Sequence, residues 1–250
     1  MGSYVTFRMN LIKTIVITLT SCFCVTATVH AGFLDKAKEF IQKENAASGR
    51  PDTATIVAGL KEALAVGTKN AVTNVSALDG YYRNPQIKIP MPKNLRKTER
   101  ILRNVGLRKE VDRFVLSMNR AAEKAAPRAK SIFIDAVKSM TFKDAKNILR
   151  GGNTAATDYF KRKTYKKLYG SFKPIIASAT SQVGVTRKYK GMMKKAASTG
   201  LVKEPSVDLD QYVTDKALEG LFYMLAQEEH KIRTDPAARV TELLKKVFRN

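Results

Sequence analysis

The stretch VDRFVLSMNRAAEKAAPRAKSIFIDAVKSM, residues 111–140, contains the pattern that decides the fold. Its apolar residues recur every three or four positions on both sides of one proline, as in two consecutive amphipathic helices. Pro127 can only open the second helix, because inside a helix it would remove a hydrogen bond and clash with the preceding turn. The apolar positions are Val111, Phe114, Met118, Ala122 and Ala125 before the proline, and Ile132, Phe133, Ala136, Val137 and Met140 after it.

The same helical period extends to both sides of this stretch, so the sequence predicts an all-α fold. A long helix is predicted from Ile56 to Leu78, and an inward-facing stripe of Phe160, Leu168 and Phe172 marks another. Local signals set helix ends: Gly106 as a C-cap, Thr141 with Asp144 as a capping box, Asp208 as an N-cap, and Asp235-Pro236 as the start of a last helix.

Strand-like alternation is confined to QIKIPMP, residues 86–92, which we call the Pro-rich segment. Its prolines bar it from the middle of a sheet, because proline cannot donate a hydrogen bond to a neighbouring strand. We therefore expect one extended segment that crosses the surface of a helical domain and is pinned by Ile87 and Ile89.

The first 31 residues have the form of a secretory signal peptide, with basic residues ahead of the uncharged run 14–29 and a small-residue cleavage site ending at Ala31. Residues 32–52 are then an N-terminal helix and linker, and residues 53–250 are the helical domain. The alternative is a lipoprotein, since the stretch LTSC resembles a lipobox ending at Cys22. Cleavage after Ala31 would remove Cys22 and Cys24, leaving no thiolate nucleophile or disulfide. Either form of processing predicts an exported protein of the periplasm or envelope.

Four stretches, taken in order, resemble the bacterial domain-of-unknown-function 4197 family. They are GLKEALAVGTKNAV at residues 59–72, NPQIKIPMP at 84–92, MNRAAEKAAPRAKSIFIDAVKSMTF at 118–142 and VDLDQYVTDKALEGLFYMLAQEEHKIRTDPAAR at 207–239. The resemblance implies an exported, mostly helical envelope protein. It carries over no catalytic residue.

The residues that acid–base or metal chemistry requires are sparse. Once the signal is removed, His230 is the one histidine, and its place near a helix end predicts a solvated side chain. Neighbouring carboxylates are interpreted as helix caps and surface charges that stay ionised. We predict no catalytic residue, metal or cofactor, with an enzyme that uses carboxylates alone as an alternative. The carboxylate pairs are Asp208 with Asp210, Asp215 with Glu219, and Glu228 with Glu229.

Two small constellations are candidate binding sites. Asn119, Arg120 and Glu123 lie within one turn and predict a polar network, either hydrogen bonds between helices or a ligand contact. Gly151 and Gly152 are expected to end a helix in the left-handed conformation. Asn153 or Thr154 would then start the next helix, whose free N–H groups could hold an anion near Gly152, Asn153 and Thr154.

Charge is the most asymmetric property of the chain, whose formal net charge is +23. Residues 159–203 contain no acidic residue, and aromatic residues alternate there with cations. Such a surface predicts binding of anionic lipid, lipopolysaccharide or another envelope polyanion, and a solvated basic face is the alternative. Nucleic acid would be the partner only if the export prediction is wrong, and a groove between helices could instead take a small apolar ligand. The candidate cations are Lys161, Arg162, Lys163, Lys166, Lys167, Arg187, Lys188, Lys190, Lys194 and Lys195.

Overall fold

The structure, a computed structural model, describes residues 53–182, 191, 194, 198 and 208–235. The chain divides into two compact units, residues 1–55 and 56–250. Of the first unit only residues 53–55 are described, and every contact reported below lies within the second. The predicted signal peptide, the linker, the helix after Asp235, and the cations Arg187, Lys188, Lys190 and Lys195 fall outside the described residues.

The described ranges contain helices, two short 3-10 turns and connecting loops, and no strand, so the all-α prediction is confirmed. The 3-10 turns span Lys93–Leu95 and Ala126–Arg128. The helices are α1 (Thr53–Ser76), α2 (Arg96–Asn104), α3 (Arg108–Ala125), α4 (Ala129–Lys138), α5 (Phe142–Arg150), α6 (Ala155–Gln182) and α7 (Leu209–Thr234).

Local sequence signals set several helix ends. The Thr141 hydroxyl accepts a hydrogen bond from the Asp144 N–H, and the Asp144 carboxylate accepts one from the Thr141 N–H, which completes the predicted capping box. The Asp208 side chain caps α7 by accepting from the N–H three residues on. Gly106 adopts the predicted left-handed conformation after α2, with φ of 86°. Pro127 lies in the 3-10 turn between α3 and α4, where its missing N–H costs nothing.

The core is built where α4, α6 and α7 meet. The ring of Phe133 on α4 packs edge-on against Phe160 of α6, at a centroid distance of 5.2 Å, and against Phe222 of α7 at 6.2 Å. Leu168 and Phe172 are fully buried on the same stripe of α6 as Phe160, which confirms the inward face predicted for this helix. Burying this stripe fixes which side of α6 is left for solvent.

The apolar stripe predicted for α1 runs to Leu78, two residues beyond the end of the helix. Leu60, Ala63, Leu64, Ala71 and Val75 are buried as expected. Leu78 is 77% exposed, because α1 ends at Ser76 and the chain turns away before position 78. The loop that follows, residues 77–92, includes the Pro-rich segment, and we call all of it the connecting loop.

None of the described helices combines the length and the apolar character needed to cross a lipid bilayer.

Candidate functional site

Five cations lie on the exposed part of the N-terminal half of α6, and together we call them the α6 basic face. All five side chains are exposed, while the stripe between them is buried in the core. Among the described residues, none of the five has a carboxylate within 4.0 Å. None of the five is therefore held in an ion pair by the described part of the protein. The members of the face are Lys161, Arg162, Lys163, Lys166 and Lys167.

Aromatic rings accompany this face in space as they do in the sequence. Tyr165 is 36% exposed and stacks on Tyr169 and Phe222, with centroid distances of 6.3 and 6.4 Å. Lys173 lies over the Tyr169 ring, 5.8 Å from its centroid. Lys194, the one other candidate cation that the structure describes, is also exposed.

The glycine pair before α6 does not take the predicted conformation. Gly151 ends α5 in an extended conformation, with φ of −80° and ψ of 171°, so the left-handed C-cap was wrong. Glycine is needed there for space instead. A Cβ at Gly151 would lie 2.5 Å from the Cβ of Ala155 and 2.8 Å from the carbonyl oxygen of Asn147.

The free N–H groups that begin α6 are bound by a carboxylate from α7. Glu229 accepts hydrogen bonds from the N–H groups of Ala156 and Thr157, at 3.0 and 2.8 Å, and from the Thr157 hydroxyl at 2.8 Å. Thr154 stands at the N-cap position, but its hydroxyl donates to Asp158. The protein thus supplies an anion of its own at this helix end. External anion binding by Gly152, Asn153 and Thr154, which are all exposed, stays a prediction.

Glu228 and Glu229 are not surface charges, contrary to the interpretation of this pair from sequence. Their exposed fractions are 5% and 6%. Glu228 accepts hydrogen bonds from Asn70 of α1 and Lys231, and Arg233 pairs with Glu229 at 2.8 Å while also donating to the Ile148 carbonyl. The pair is buried because this part of α7 packs against α1, α5 and α6.

The polar network around α3 joins this helix to the connecting loop rather than to another helix. Asn119 is fully buried, and its amide exchanges two hydrogen bonds of 2.9 Å with the backbone of Ile89. Glu123 accepts from the N–H groups at the start of the loop, including that of Tyr81 at 3.1 Å. Arg120 links Glu123 to Asp79, which has a positive φ of 67°. The network fixes the loop in one position.

A groove of about 760 Å³ lies between the Pro-rich segment and α7. Its floor contains Ile87, Met91 and Gly220, which are buried. The groove therefore lies between a helix and a loop, whereas a groove between helices was predicted. Its cations come from four different elements, the connecting loop, the following 3-10 turn, α2 and α7: Lys88, Lys93, Arg96 and Lys216.

The remaining candidate carboxylates contact other groups of the protein, including Asp215, which accepts a hydrogen bond from the Tyr165 hydroxyl at 3.4 Å. Asp208 caps α7, Asp210 accepts from the Thr180 hydroxyl at 2.7 Å, and Glu219 pairs with Lys216. His230 is exposed. Within the described part of the chain, no three His, Cys, Asp or Glu side chains are placed to hold a metal ion.

Asp144 of α5 lies close to the α6 basic face, as does Asp158 of α6 itself. Hydrogen bonds from the Thr141 side chain and backbone hold the pKa of Asp144 below its usual value, and the nearby charges of Lys163 and Arg162 lower it further. Asp144 is therefore ionised at neutral pH. It faces the first turns of α6 without forming an ion pair with them.

The fold and its surfaces define a class: an all-α protein whose connecting loop is bound to α3 and α7 and whose longest described helix presents unpaired cations. The chain belongs to the family described as "Protein of unknown function (DUF4197)", whose model matches residues 50–249. No curated protein and no solved structure matches the chain.

Proposed function

We propose that this protein is a non-catalytic protein of the cell envelope that attaches to phosphate-bearing lipid surfaces through the α6 basic face. The observation that carries the proposal is that all five cations are exposed and that none forms an ion pair with another described residue. Cations that only solubilise a helix are commonly interspersed with acids three or four residues away. On α6 the one acid at such a spacing is Asp158, before Lys161 and Arg162, and it forms no ion pair with either, while no acid follows in the rest of the helix. Most of the charge is therefore available to another molecule.

The electrostatic attraction of the five cations to an anionic membrane is large enough for peripheral attachment. Each Lys or Arg near an anionic membrane contributes about 1 kcal/mol, so five together contribute about 5 kcal/mol when all reach the surface. That energy corresponds to a partition advantage of roughly three to four orders of magnitude. Tyr165 lies between two of these cations, and tyrosine is favoured at membrane–water interfaces because its ring is apolar and its hydroxyl polar.

The form of the N-terminal 31 residues supports the envelope as the place of action. An exported protein meets phosphate mainly in lipid head groups, including those of lipopolysaccharide. This reasoning favours a lipid surface over nucleic acid as the partner of a basic face. Without a transmembrane segment among the described helices, a charged face is a physically reasonable means of attachment.

The test is flotation of the purified protein with vesicles that contain phosphatidylglycerol, compared with vesicles of neutral phosphatidylcholine. In the face variant all five cations of the α6 basic face are replaced by glutamine. A matched control replaces four lysines and one arginine that are exposed on α1, α3 and α4, so that the change in net charge is identical. The control positions are Lys69, Lys109, Arg113, Lys124 and Lys130.

We expect the face variant to bind anionic vesicles at least about tenfold more weakly, and the control variant to lose less than about threefold. The far-ultraviolet circular dichroism of both variants should match the parent, because all ten side chains are exposed. Equal losses in the two variants would show that only net charge matters, and would refute the proposal. Binding to single-stranded DNA without binding to vesicles would refute it in favour of a nucleic-acid-binding module.

A further inference from the structure

We infer that the groove between the Pro-rich segment and α7 is a binding site for an anionic amphiphile with a single alkyl chain. The site uses no residue of α6, so it stands independently of the proposed attachment to lipid surfaces. Three properties of the groove carry the inference: its apolar floor, its unpaired cationic rim and its fixed walls.

The floor and one wall of the groove are apolar. Ile87 and Met91 are buried beneath it, Pro90 and Pro92 of the Pro-rich segment border it, and Tyr223 of α7 presents a ring to it. A volume of about 760 Å³ falls in the range typical of sites for small molecules. An alkyl chain bound there would be removed from water and would contact aliphatic and aromatic carbon atoms.

The rim carries more positive charge than the groove neutralises. Lys216 forms an ion pair with Glu219 across one turn of α7. Lys93 and Arg96, which also border the groove, have no carboxylate within 4.0 Å in the described part of the chain. Lys88 adds a third unpaired charge, with its ammonium group 4.2 Å from the centroid of the Tyr82 ring. A neutral apolar ligand would make no use of this rim, whereas an anionic head group would.

The walls are held in place before any ligand arrives. The Asn119 amide binds the backbone of Ile89, and the Tyr212 hydroxyl donates to the Pro90 carbonyl at 3.0 Å. Gly220 allows the closest approach, since a Cβ there would lie 2.8 Å from the Tyr81 ring and 3.0 Å from the Ile87 Cβ. A groove that needs no ordering on binding keeps more of its interaction energy as affinity.

The head group can be a carboxylate or a phosphate, because two or three cations in an open rim accept either. The shared chemistry is a single alkyl chain joined to an anion. The probes are therefore decanoate, decyl phosphate and the neutral decyl maltoside, each used below the concentration at which it forms micelles. Isothermal titration calorimetry with the full chain measures their affinities.

The test variant is Lys93→Gln with Arg96→Gln, and the matched control is Lys97→Gln with Arg100→Gln. The control residues are exposed on α2 beside the test pair but do not border the groove. We expect saturable binding of at least one anionic probe, at least about tenfold tighter than decyl maltoside. The test variant should lose about tenfold in affinity for that probe, and the control variant less than about twofold. The ratio of decanoate to decyl phosphate affinity then identifies the preferred head group.

The inference would be overturned by no saturable binding of either anionic probe, by equal affinity for decyl maltoside, or by equal losses in the test and control variants. The face variant of α6 separates this site from the proposed function. It should bind the anionic probe like the parent even if it no longer floats with vesicles. Loss of probe binding in the face variant would place the amphiphile on α6 and refute a site in the groove.

Discussion

Replacing Glu229 should destabilise the protein more than replacing other acids of α7, because this carboxylate binds the start of α6 from within the core. It accepts three hydrogen bonds, two from backbone N–H groups and one from the Thr157 hydroxyl, and it pairs with Arg233. Hydrogen bonds to a charged group contribute about 1.5–3 kcal/mol each, and removing one partner of a buried ion pair costs about 3–5 kcal/mol. These terms share the same oxygens, so they do not add.

We therefore expect Glu229→Ala to lower the free energy of unfolding by about 3–5 kcal/mol. Glu229→Gln should cost about 1–3 kcal/mol, because the amide keeps one acceptor oxygen but loses the charge. Domains of this kind have total stabilities of about 5–15 kcal/mol, so the alanine variant should lose a fifth or more of the total. Equilibrium unfolding in urea, followed by circular dichroism at the helical band, measures both values.

Glu219→Gln is the control, because the Glu219 side chain is 63% exposed and forms a surface pair with Lys216 on the same helix. Such pairs contribute about 0–1 kcal/mol, so this variant should unfold close to the parent. If Glu229→Ala also lies within about 1 kcal/mol of the parent, the carboxylate does not hold α6, and the reasoning from its hydrogen bonds is refuted.

Three further predictions concern single positions. Gly220→Ala should destabilise the protein by about 1–3 kcal/mol, because an added Cβ has no room there. Gly170→Ala should stabilise it by about 0.5–1 kcal/mol, because Gly170 is exposed on α6 and an added Cβ would meet nothing within 4 Å. Urea unfolding distinguishes the two signs. Asn119→Ala should cost about 1–3 kcal/mol and increase hydrogen exchange in the Pro-rich segment, and unchanged exchange there would contradict the pinning role. Because the pKa of Asp144 is lowered in the folded state, its contribution to stability is present at neutral pH and is lost as pH falls through that pKa. Thr141→Ala should raise this pKa, as a carboxyl titration by nuclear magnetic resonance would show, and should remove about 0.5–2 kcal/mol at pH 7.

The features that could be predicted from sequence are those that local spacing determines. The apolar period placed the helices, and the capping box at Thr141 and the left-handed Gly106 are set by residues three or fewer positions away. The inward stripe of α6 follows from the same period. In each case the signal and the structure it specifies lie within one helical turn.

The features that could not be predicted depend on contacts between distant residues. Glu229 caps α6 from 72 positions away, so an acid that resembled a surface charge in sequence is buried in the structure. The groove combines residues 86–96 with 212–223, and no local pattern connects these stretches. Gly220 was a usable signal, because a glycine inside a strongly helical pattern often marks a close approach of another segment. The sequence predicted that Gly151 is needed for a left-handed backbone conformation, whereas in the structure a glycine is needed there because Ala155 leaves no space for a Cβ.

Lysine footprinting on vesicles tests most directly whether the α6 basic face contacts lipid. The parent protein is acetylated briefly, with and without phosphatidylglycerol vesicles, and the modified lysines are quantified by mass spectrometry. The account predicts protection of Lys161, Lys163, Lys166 and Lys167 on vesicles, with Lys69, exposed on α1, modified as fast as in solution. Equal modification of the α6 lysines in both conditions, while the protein is bound to the vesicles, would show that another surface makes the contact and would contradict the proposed function.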